Sequence, residues 1–187
     1  KASEASIKIM CFENVHYLSL LTSGARKFRV SIFRGGVLYW RGFITADLYS
    51  ESFTAPPYEV TIKAVDGFNL LSGYIFKDLM NIGTKGRKTL WELLSKCIDL
   101  LELDMTVSDW LDIFAEGMNE TTSPLKQTCI DLERLYFVYE NPTYRDVLEL
   151  CLLPFAAQIF QSNGALHIRR AVALYETSRP STFFQIG

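Results

Sequence analysis

The sequence contains few of the residues that bind metals or transfer protons near neutral pH. Only two of its 187 residues are histidines, His16 and His167, and neither has a histidine, cysteine or carboxylate at a metal-ligand spacing. There is no G-x-S-x-G motif, and no cysteine stands beside a candidate general base. We therefore predict no metal ligands, no cofactor and no catalytic residues, and we predict that the chain is not an enzyme.

The cysteines form no pattern that is typical of a metal site or a disulfide framework. There are four of them, they are widely separated, and none belongs to a C-x-x-C pair: Cys11, Cys97, Cys129 and Cys151. This spacing excludes a zinc framework and a dense disulfide scaffold. We expect reduced, buried thiols.

Long apolar runs are absent as well. The longest candidate, residues 147–159, is interrupted by Glu149, Pro154 and Gln158, and it is shorter than the roughly 20 residues that span a bilayer. We therefore predict no membrane association. Because the chain starts at Lys1 rather than at a methionine, we expect it to be a fragment of a longer protein.

Charge is nearly balanced overall but unevenly distributed. The net charge of −2 provides no general attraction to nucleic acid. Residues 1–45 hold seven basic residues and two acidic ones, whereas residues 92–120 hold eight acidic residues and one basic one. The simplest interpretation is two solvated faces of one molecule. The alternative is that the basic part of one subunit meets the acidic part of the next, which salt would weaken.

The first third of the chain has the alternation of antiparallel β-strands. Residues 27–34 alternate apolar and polar side chains, and Gly35 and Gly36 follow as a tight hairpin turn. Residues 37–45 return as a second strand, and residues 58–65 form a third. We predict a β-rich part over residues 1–65, a small sheet or half-barrel whose edges need cover.

The periodicity changes after the third strand. Asp66 is a good N-cap for a short helix from Gly67 to Tyr74. A polar loop, residues 81–88, then brings Lys85, Arg87 and Lys88 to the start of another helix. Its glycine spacing does not fit a nucleotide-binding loop. The loop is interpreted as solvated, with weak anion binding at the helix N-terminus as the alternative.

A capped helix followed by a strand occurs twice. The openings are Thr89-x-x-Glu92 and Thr143-x-x-Asp146, which have the form of capping boxes. Both are followed by apolar residues at the same six helical offsets, and then by a strand. One shift of 54 residues aligns cap, apolar stripe and strand, which favours a structural repeat over two independent helices.

The second unit continues into a hairpin. Pro154 is expected to end or kink its helix, and Ser162-Asn163-Gly164 is a turn between two strands. The sequence therefore predicts an α+β fold with an antiparallel β-rich part at residues 1–65. An α+β part at residues 66–187 follows, with a duplicated helix–strand unit near residues 89–107 and 143–170.

Two groups of side chains have an alternative functional interpretation. Asp109 and Asp112 beside Trp110 suggest carbohydrate chemistry, but no separation between the carboxylates can be read from a sequence, and an acidic surface is the simpler interpretation. Aromatic residues are dense near the predicted hairpin, where they serve either the core or a subunit interface: Tyr39, Trp40, Tyr49, Phe53 and Tyr58.

Several of these strings resemble the N-terminal region of phage tail proteins, the baseplate hub and tail-tip proteins found in prophages of Bacteroidetes. The similar strings are VLYWRGFI at residues 37–44, PYEVTIKAVDGF at residues 57–68, and FQSNG at residues 160–164 followed by LHIR. The match is spread over residues 28–170. It departs from the family at His167, where an aromatic residue is expected, and in the acidic segment at residues 110–120.

The resemblance implies a hub subunit, usually trimeric, that closes or continues the tail tube and holds tail-tip or fibre proteins. It implies partners that are copies of the chain and other tail proteins, a location in the virion tail after assembly in the host cytoplasm, and no catalysis in this region. The alternative is a tail-tip or cell-surface module that binds a carbohydrate through exposed aromatic residues such as Trp110.

Overall fold

The computed structural model describes residues 3–13, 17, 20, 24, 26–45, 50–51, 54–76, 86–133, 141–172 and 184–186. A mostly antiparallel sheet forms first, and capped helices and a second sheet follow along the chain. This order confirms the predicted α+β fold. The predicted elements that include residues 81–85, as well as His16, Tyr49 and Phe53, lie outside the described residues.

The first sheet is built from five strands: β1 (Glu4–Cys11), β2 (Arg29–Arg34), β3 (Val37–Ile44), β4 (Ser50–Glu51) and β5 (Tyr58–Val65). Four of them follow the order β1-β5-β3-β2, and the short strand β4 also pairs with β5. The three predicted strands are confirmed to within two residues. The prediction missed β1, although its alternation of Ala5, Ile7 and Ile9 with polar residues is a strand signal.

One face of β5 provides the core of this sheet. Val60, Ile62 and Ala64 are buried, and they pair with Ile9, Ile7 and Ala5 of β1. The intervening residues of β5 are more exposed, as the period of two requires. Cys11 and Tyr58 close the same small core at the other end of the pair.

The start of the chain is fastened to the end of β5 by Asp66. Its carboxylate accepts hydrogen bonds from the backbone and hydroxyl of Ser3 and, 3.2 Å away, from the amide of Phe68. Trp40 Nε1 donates to the Ser3 hydroxyl at 2.9 Å. Asp66 is the predicted N-cap, and its bond to the Phe68 amide is the bond expected of a capping residue. The N-cap position is nevertheless occupied by Gly67, and the predicted helix is a 3₁₀ helix, Phe68–Gly73.

The two predicted helices are present with both capping boxes. Helix α1 (Leu90–Leu101) begins at Thr89, whose hydroxyl accepts from the Glu92 amide, while the Glu92 carboxylate accepts from the Thr89 amide. A short helix, α2 (Pro124–Gln127), precedes helix α3 (Tyr144–Leu152), which begins at Thr143 with the same reciprocal bonds to Asp146. Five of the six residues in each apolar stripe are buried, and Ile98 and Tyr144 are partly buried.

The ends of the two units differ. Pro154 lies in a 3₁₀ turn, Leu153–Phe155, and Ala156 at φ 47° redirects the chain into the next strand, so Pro154 ends the helix as predicted. In the first unit Glu102 and Asp104 both have positive φ, and the strand begins only at Thr106. The predicted strand residues Leu103 and Met105 therefore lie in the connection rather than in the strand.

The second sheet contains the strands β7 (Thr106–Asp109), β9 (Ala157–Ser162), β10 (Ala165–Arg170) and β11 (Phe184–Ile186). Their order across the sheet is β11-β7-β10-β9. The strands of both units thus join one sheet: β10 is antiparallel to β9 and parallel to β7. β7 and β9 consequently run in opposite directions in this sheet.

The main core lies between the helices and this sheet. Leu94 and Cys97 of α1, Val147 and Cys151 of α3, and Leu166 of β10 are fully buried there. Cys97 and Cys151 occupy equivalent positions in the two units, and the Cys97 thiol lies 3.4 Å from the Tyr144 carbonyl oxygen of α3.

A small two-stranded ladder joins the start of the first unit to the segment between the units. Strand β6 (Arg87–Thr89) pairs with β8 (Cys129–Asp131). This pairing returns the chain past α1 before the second unit begins. Within the described residues, no helix has the length and apolarity needed to cross a membrane.

Candidate interaction surface

The first sheet is attached to the end of helix α1 by arginine side chains. Arg41 of β3 donates through Nη1 to the carbonyl oxygens of Leu103, at 2.9 Å, and Asp104, at 2.6 Å. Arg26 donates to the Leu100 carbonyl in the last turn of α1. Carbonyls at a helix C-terminus lack partners within the helix and carry partial negative charge, so a guanidinium stabilises them.

The same strand is held by the β9–β10 hairpin. Gln161 bonds both backbone groups of Arg41, donating to its carbonyl at 2.8 Å and accepting from its amide. The amide of Gly164 donates to the Tyr39 carbonyl at 2.9 Å. Gly164 has φ +75°, and a Cβ added to it would overlap the carbonyl oxygen of Leu38. The close approach of the two backbones therefore requires glycine at this position.

The basic and acidic regions of the sequence meet inside one chain. Arg26 pairs with Glu102 at 3.1 Å, Arg29 pairs with Asp104 at 3.5 Å, and Arg41 lies 3.9 Å from the Asp104 carboxylate. For these three arginines the alternative of pairing between subunits is wrong, because the acidic partner is supplied by the same chain.

The β2–β3 hairpin ends in an exposed apolar tip, which we define as Phe33, Val37 and Tyr39. Their side chains are 59%, 68% and 41% exposed. The register shifts between Ile32 and Phe33, which leaves Tyr39 without a counterpart in β2. Of the aromatic residues predicted to serve either core or interface, Trp40 and Tyr58 are buried in the core, whereas Tyr39 is at the surface.

The turn of this hairpin projects away from the rest of the described chain. Gly35 and Gly36 have φ +59° and +81°, which suits the tight turn predicted from sequence. A Cβ added to either glycine would meet no atom within 4 Å. The tip is therefore an apolar projection on a hairpin whose base is fixed by the contacts of Arg41, Gln161 and Gly164.

An open apolar groove lies where α3 meets the start of β9, at the end of β9 that is away from the β9–β10 turn. It has a volume of about 350 Å³ and is bounded by the 3₁₀ helix, α3 and β9. Phe68, Leu148 and Ile159 are among its apolar lining residues, and Leu153, which also lines it, is 75% exposed. Arg145 and Glu149 also line the groove and are paired at 2.8 Å.

Cation and aromatic groups are stacked near the second sheet. The Arg169 guanidinium lies 4.3 Å from the centroid of the Trp110 ring. His167 pairs with Phe160 across β9 and β10, with ring centroids 5.7 Å apart, and its Nε2 lies 3.0 Å from the Ser162 carbonyl oxygen. Since Arg169 covers one face of Trp110, that face is not available for stacking a sugar ring.

The two acids beside Trp110 have separate structural roles. Asp109 is fully buried; it accepts from the Ser123 hydroxyl and, at 2.9 Å, from the Leu111 amide. Burial raises the pKa of the Asp109 carboxyl, and the two hydrogen bonds oppose that shift. Asp112 instead pairs with Arg170 at 3.0 Å. The structure therefore does not bring these two carboxylates together as a catalytic pair.

The N-terminus of α1 already holds a carboxylate. The amide of Thr89 donates to Glu92 and lowers the pKa of this carboxyl, and Lys88, 3.1 Å away, lowers it further. Of the three cations predicted to crowd this position, Arg87 is exposed, Lys88 is paired with Glu92, and Lys85 lies outside the described residues. The alternative of anion binding stays a prediction.

The cysteines are free thiols, and three of the four are buried as predicted. Burial raises the pKa of the Cys97 thiol, and it raises the pKa of Cys151 to about 12. Both are therefore protonated and unreactive at neutral pH. Cys129 is exposed, so the prediction of burial is wrong for this residue.

No group of three or more metal-binding side chains occurs in the part of the chain that the structure describes. No protein-family model, curated protein or solved structure matches the chain. The family resemblance of the strand motifs therefore stays a prediction.

Proposed function

We propose that the chain is a structural subunit of a phage tail, a baseplate hub or tail-tip component that acts through protein–protein contacts. The observation that carries the proposal is the apolar tip. Phe33 and Val37 are exposed on a hairpin whose base is anchored to another part of the fold. Exposed apolar groups rimmed by polar residues are typical of interaction sites, and a rigid hairpin loses little conformational entropy when it binds.

The outer strands of the first sheet support the same proposal. In the described part of the chain, β1 pairs only with β5, and β2 pairs only with β3. Among the described residues, the outer edge of each strand is a row of backbone amide and carbonyl groups, to which a neighbouring chain is able to add a strand. The strings that resemble tail proteins include all of β3 and all of β5, which belong to this sheet. We further propose homo-oligomerisation, with a trimer as the expected form, and a location in the virion tail.

The tail location is tested by electron microscopy of particles released from the bacterium that encodes the chain. Particles are labelled with gold-conjugated antibody raised against the chain, and we expect gold at the distal end of the tail. Gold on capsids would contradict the proposal. Particles without gold, from cells that contain the chain, would contradict it as well.

A further inference from the structure

We infer that the apolar tip of one copy docks in the apolar groove of a second copy, so that the chain assembles head to tail. This inference rests on the proposed assembly function and specifies the contact that carries it. It joins two features of the described surface without an assigned role: a projecting apolar tip and a concave apolar groove.

The tip has the form of a wedge. Phe33 pairs with Leu38, and Arg34 pairs with Val37, so these neighbouring pairs face opposite sides of the β-ribbon. Phe33 and Val37 therefore expose apolar surface on both sides of the turn. An edge of this kind buries most of its apolar surface when it enters a groove, rather than when it lies on a flat surface.

The groove suits such a wedge in size and in chemistry. Its volume of about 350 Å³ exceeds that of one aromatic side chain, and its lining includes Leu148, Leu152 and Ile159. Glu149, with a side chain that is 62% exposed, lies at the groove. This carboxylate is already paired with Arg145 at 2.8 Å, and Arg34 at the tip is exposed and basic, so a docked tip is able to supply a second guanidinium to it.

A tip cannot reach the groove of its own chain. Arg41 of β3 contacts Gln161 near the end of β9, and Tyr39, two residues closer to the tip, contacts Gly164 in the β9–β10 turn. The direction along β3 toward the tip is therefore also the direction toward that turn. Tyr39 lies at that turn and Val37 lies beyond it, whereas the groove lies at the start of β9. The six residues of β9 alone span about 17 Å. Tip and groove are therefore different surfaces at opposite ends, and such contacts form rings or filaments.

The experiment uses two variants that each disable one side of the contact. Phe33→Glu places a charge at the tip and leaves the groove intact. Leu153→Glu places a charge at the groove and leaves the tip intact. Phe12→Glu is the matched control, because Phe12 is also exposed, at 76%, but belongs to neither surface. All three side chains are mostly exposed, so we expect circular dichroism and melting temperatures close to those of the wild type.

Sedimentation velocity is measured on each protein and on an equimolar mixture of the two disabled variants. We expect the wild type and Phe12→Glu to associate, and each disabled variant to associate at least tenfold more weakly. The mixture is expected to form a species of two chains, because one intact tip then meets one intact groove. A self-complementary contact does not produce this rescue.

The docking inference is overturned if the mixture stays monomeric, if Leu153→Glu associates like the wild type, or if the wild type itself is monomeric. A small apolar molecule retained in the groove in native mass spectra would overturn it too, since that molecule would be the occupant. Association of the wild type without rescue, together with gold on tails, would reject the docking contact and leave the tail proposal intact. If the mixture of disabled variants forms the two-chain species but tails carry no gold, the docking contact stands and the tail proposal is rejected.

Discussion

Replacement of Gly164 by alanine is expected to weaken the junction between the two sheets. Gly164 has φ +75°, its amide donates to the Tyr39 carbonyl, and an added Cβ would overlap the carbonyl oxygen of Leu38. The substitution therefore strains the backbone and pushes β3 away from the β9–β10 turn. Gly36→Ala is the matched control, because Gly36 has φ +81° but open space around it.

The expected magnitudes follow from these two environments. In both variants, the left-handed conformation costs a residue with a Cβ about 1–2 kcal/mol. Alanine also makes the unfolded chain less flexible than glycine does, which favours folding and offsets about 0.4–1 kcal/mol of this cost. Gly36→Ala is thus expected to lower the free energy of unfolding by about 1 kcal/mol. In Gly164→Ala the lost hydrogen bond and the forced shift bring the total to about 2–3 kcal/mol.

The assay is urea unfolding followed by tryptophan fluorescence, with melting temperature as a second measurement. For a chain of this size 1 kcal/mol corresponds to about 2–4 °C, so Gly164→Ala is expected to melt roughly 4–12 °C below the wild type. Equal effects of Gly164→Ala and Gly36→Ala would show that the close approach to Leu38 does not exist, and would refute the junction as described.

Three further predictions concern single side chains. Arg41→Met removes the bonds to the carbonyls after α1 and is expected to cost about 1.5–3 kcal/mol of unfolding free energy, whereas Arg34→Met at the exposed tip costs less than about 0.5 kcal/mol. Asp109→Asn is expected to become more stable relative to the wild type as pH rises above 3.8. The raised pKa of the folded state means that the wild type loses stability through that window, up to the folded pKa. A thiol reagent at neutral pH is expected to label Cys129 rapidly in the native protein and the buried thiols only after unfolding.

Each of these predictions has a clear contrary result. Equal urea midpoints for Arg41→Met and the wild type would show that the arginine does not stabilise the helix end. A pH-independent difference between Asp109→Asn and the wild type would show that the carboxyl titrates alike in both states. Rapid labelling of more than one thiol per native chain would show that the described burial of the other cysteines is wrong.

Local signals allowed much of the fold to be predicted from sequence. The capping boxes at Thr89 and Thr143 require only residues three positions apart, and both helices begin where those residues predict. The β2–β3 hairpin likewise depends on adjacent glycines and on alternation. Strand β1 carries the same alternation, so the signal that reveals it was present.

The junction and the groove depend on contacts between distant residues, which local patterns do not encode. Gln161 meets Arg41 across 120 positions, and nothing in either neighbourhood indicates that pairing. The groove exists because the 3₁₀ helix, α3 and β9 converge. Charge composition did not indicate this contact either. Its simplest interpretation was two solvated faces and its alternative was contact between subunits, yet Arg26 and Arg29 pair with acidic residues of the same chain.

The central claim, that the chain assembles into a tail through its exposed tip, is tested most directly by its abundance in purified particles. Mass spectrometry would quantify the chain in particles from hosts that carry the wild-type, Phe33→Glu or Phe12→Glu sequence. We expect the wild type and Phe12→Glu to be incorporated equally, and Phe33→Glu to be lost from particles although it is folded in cells. Incorporation of Phe33→Glu at the wild-type level would contradict the account.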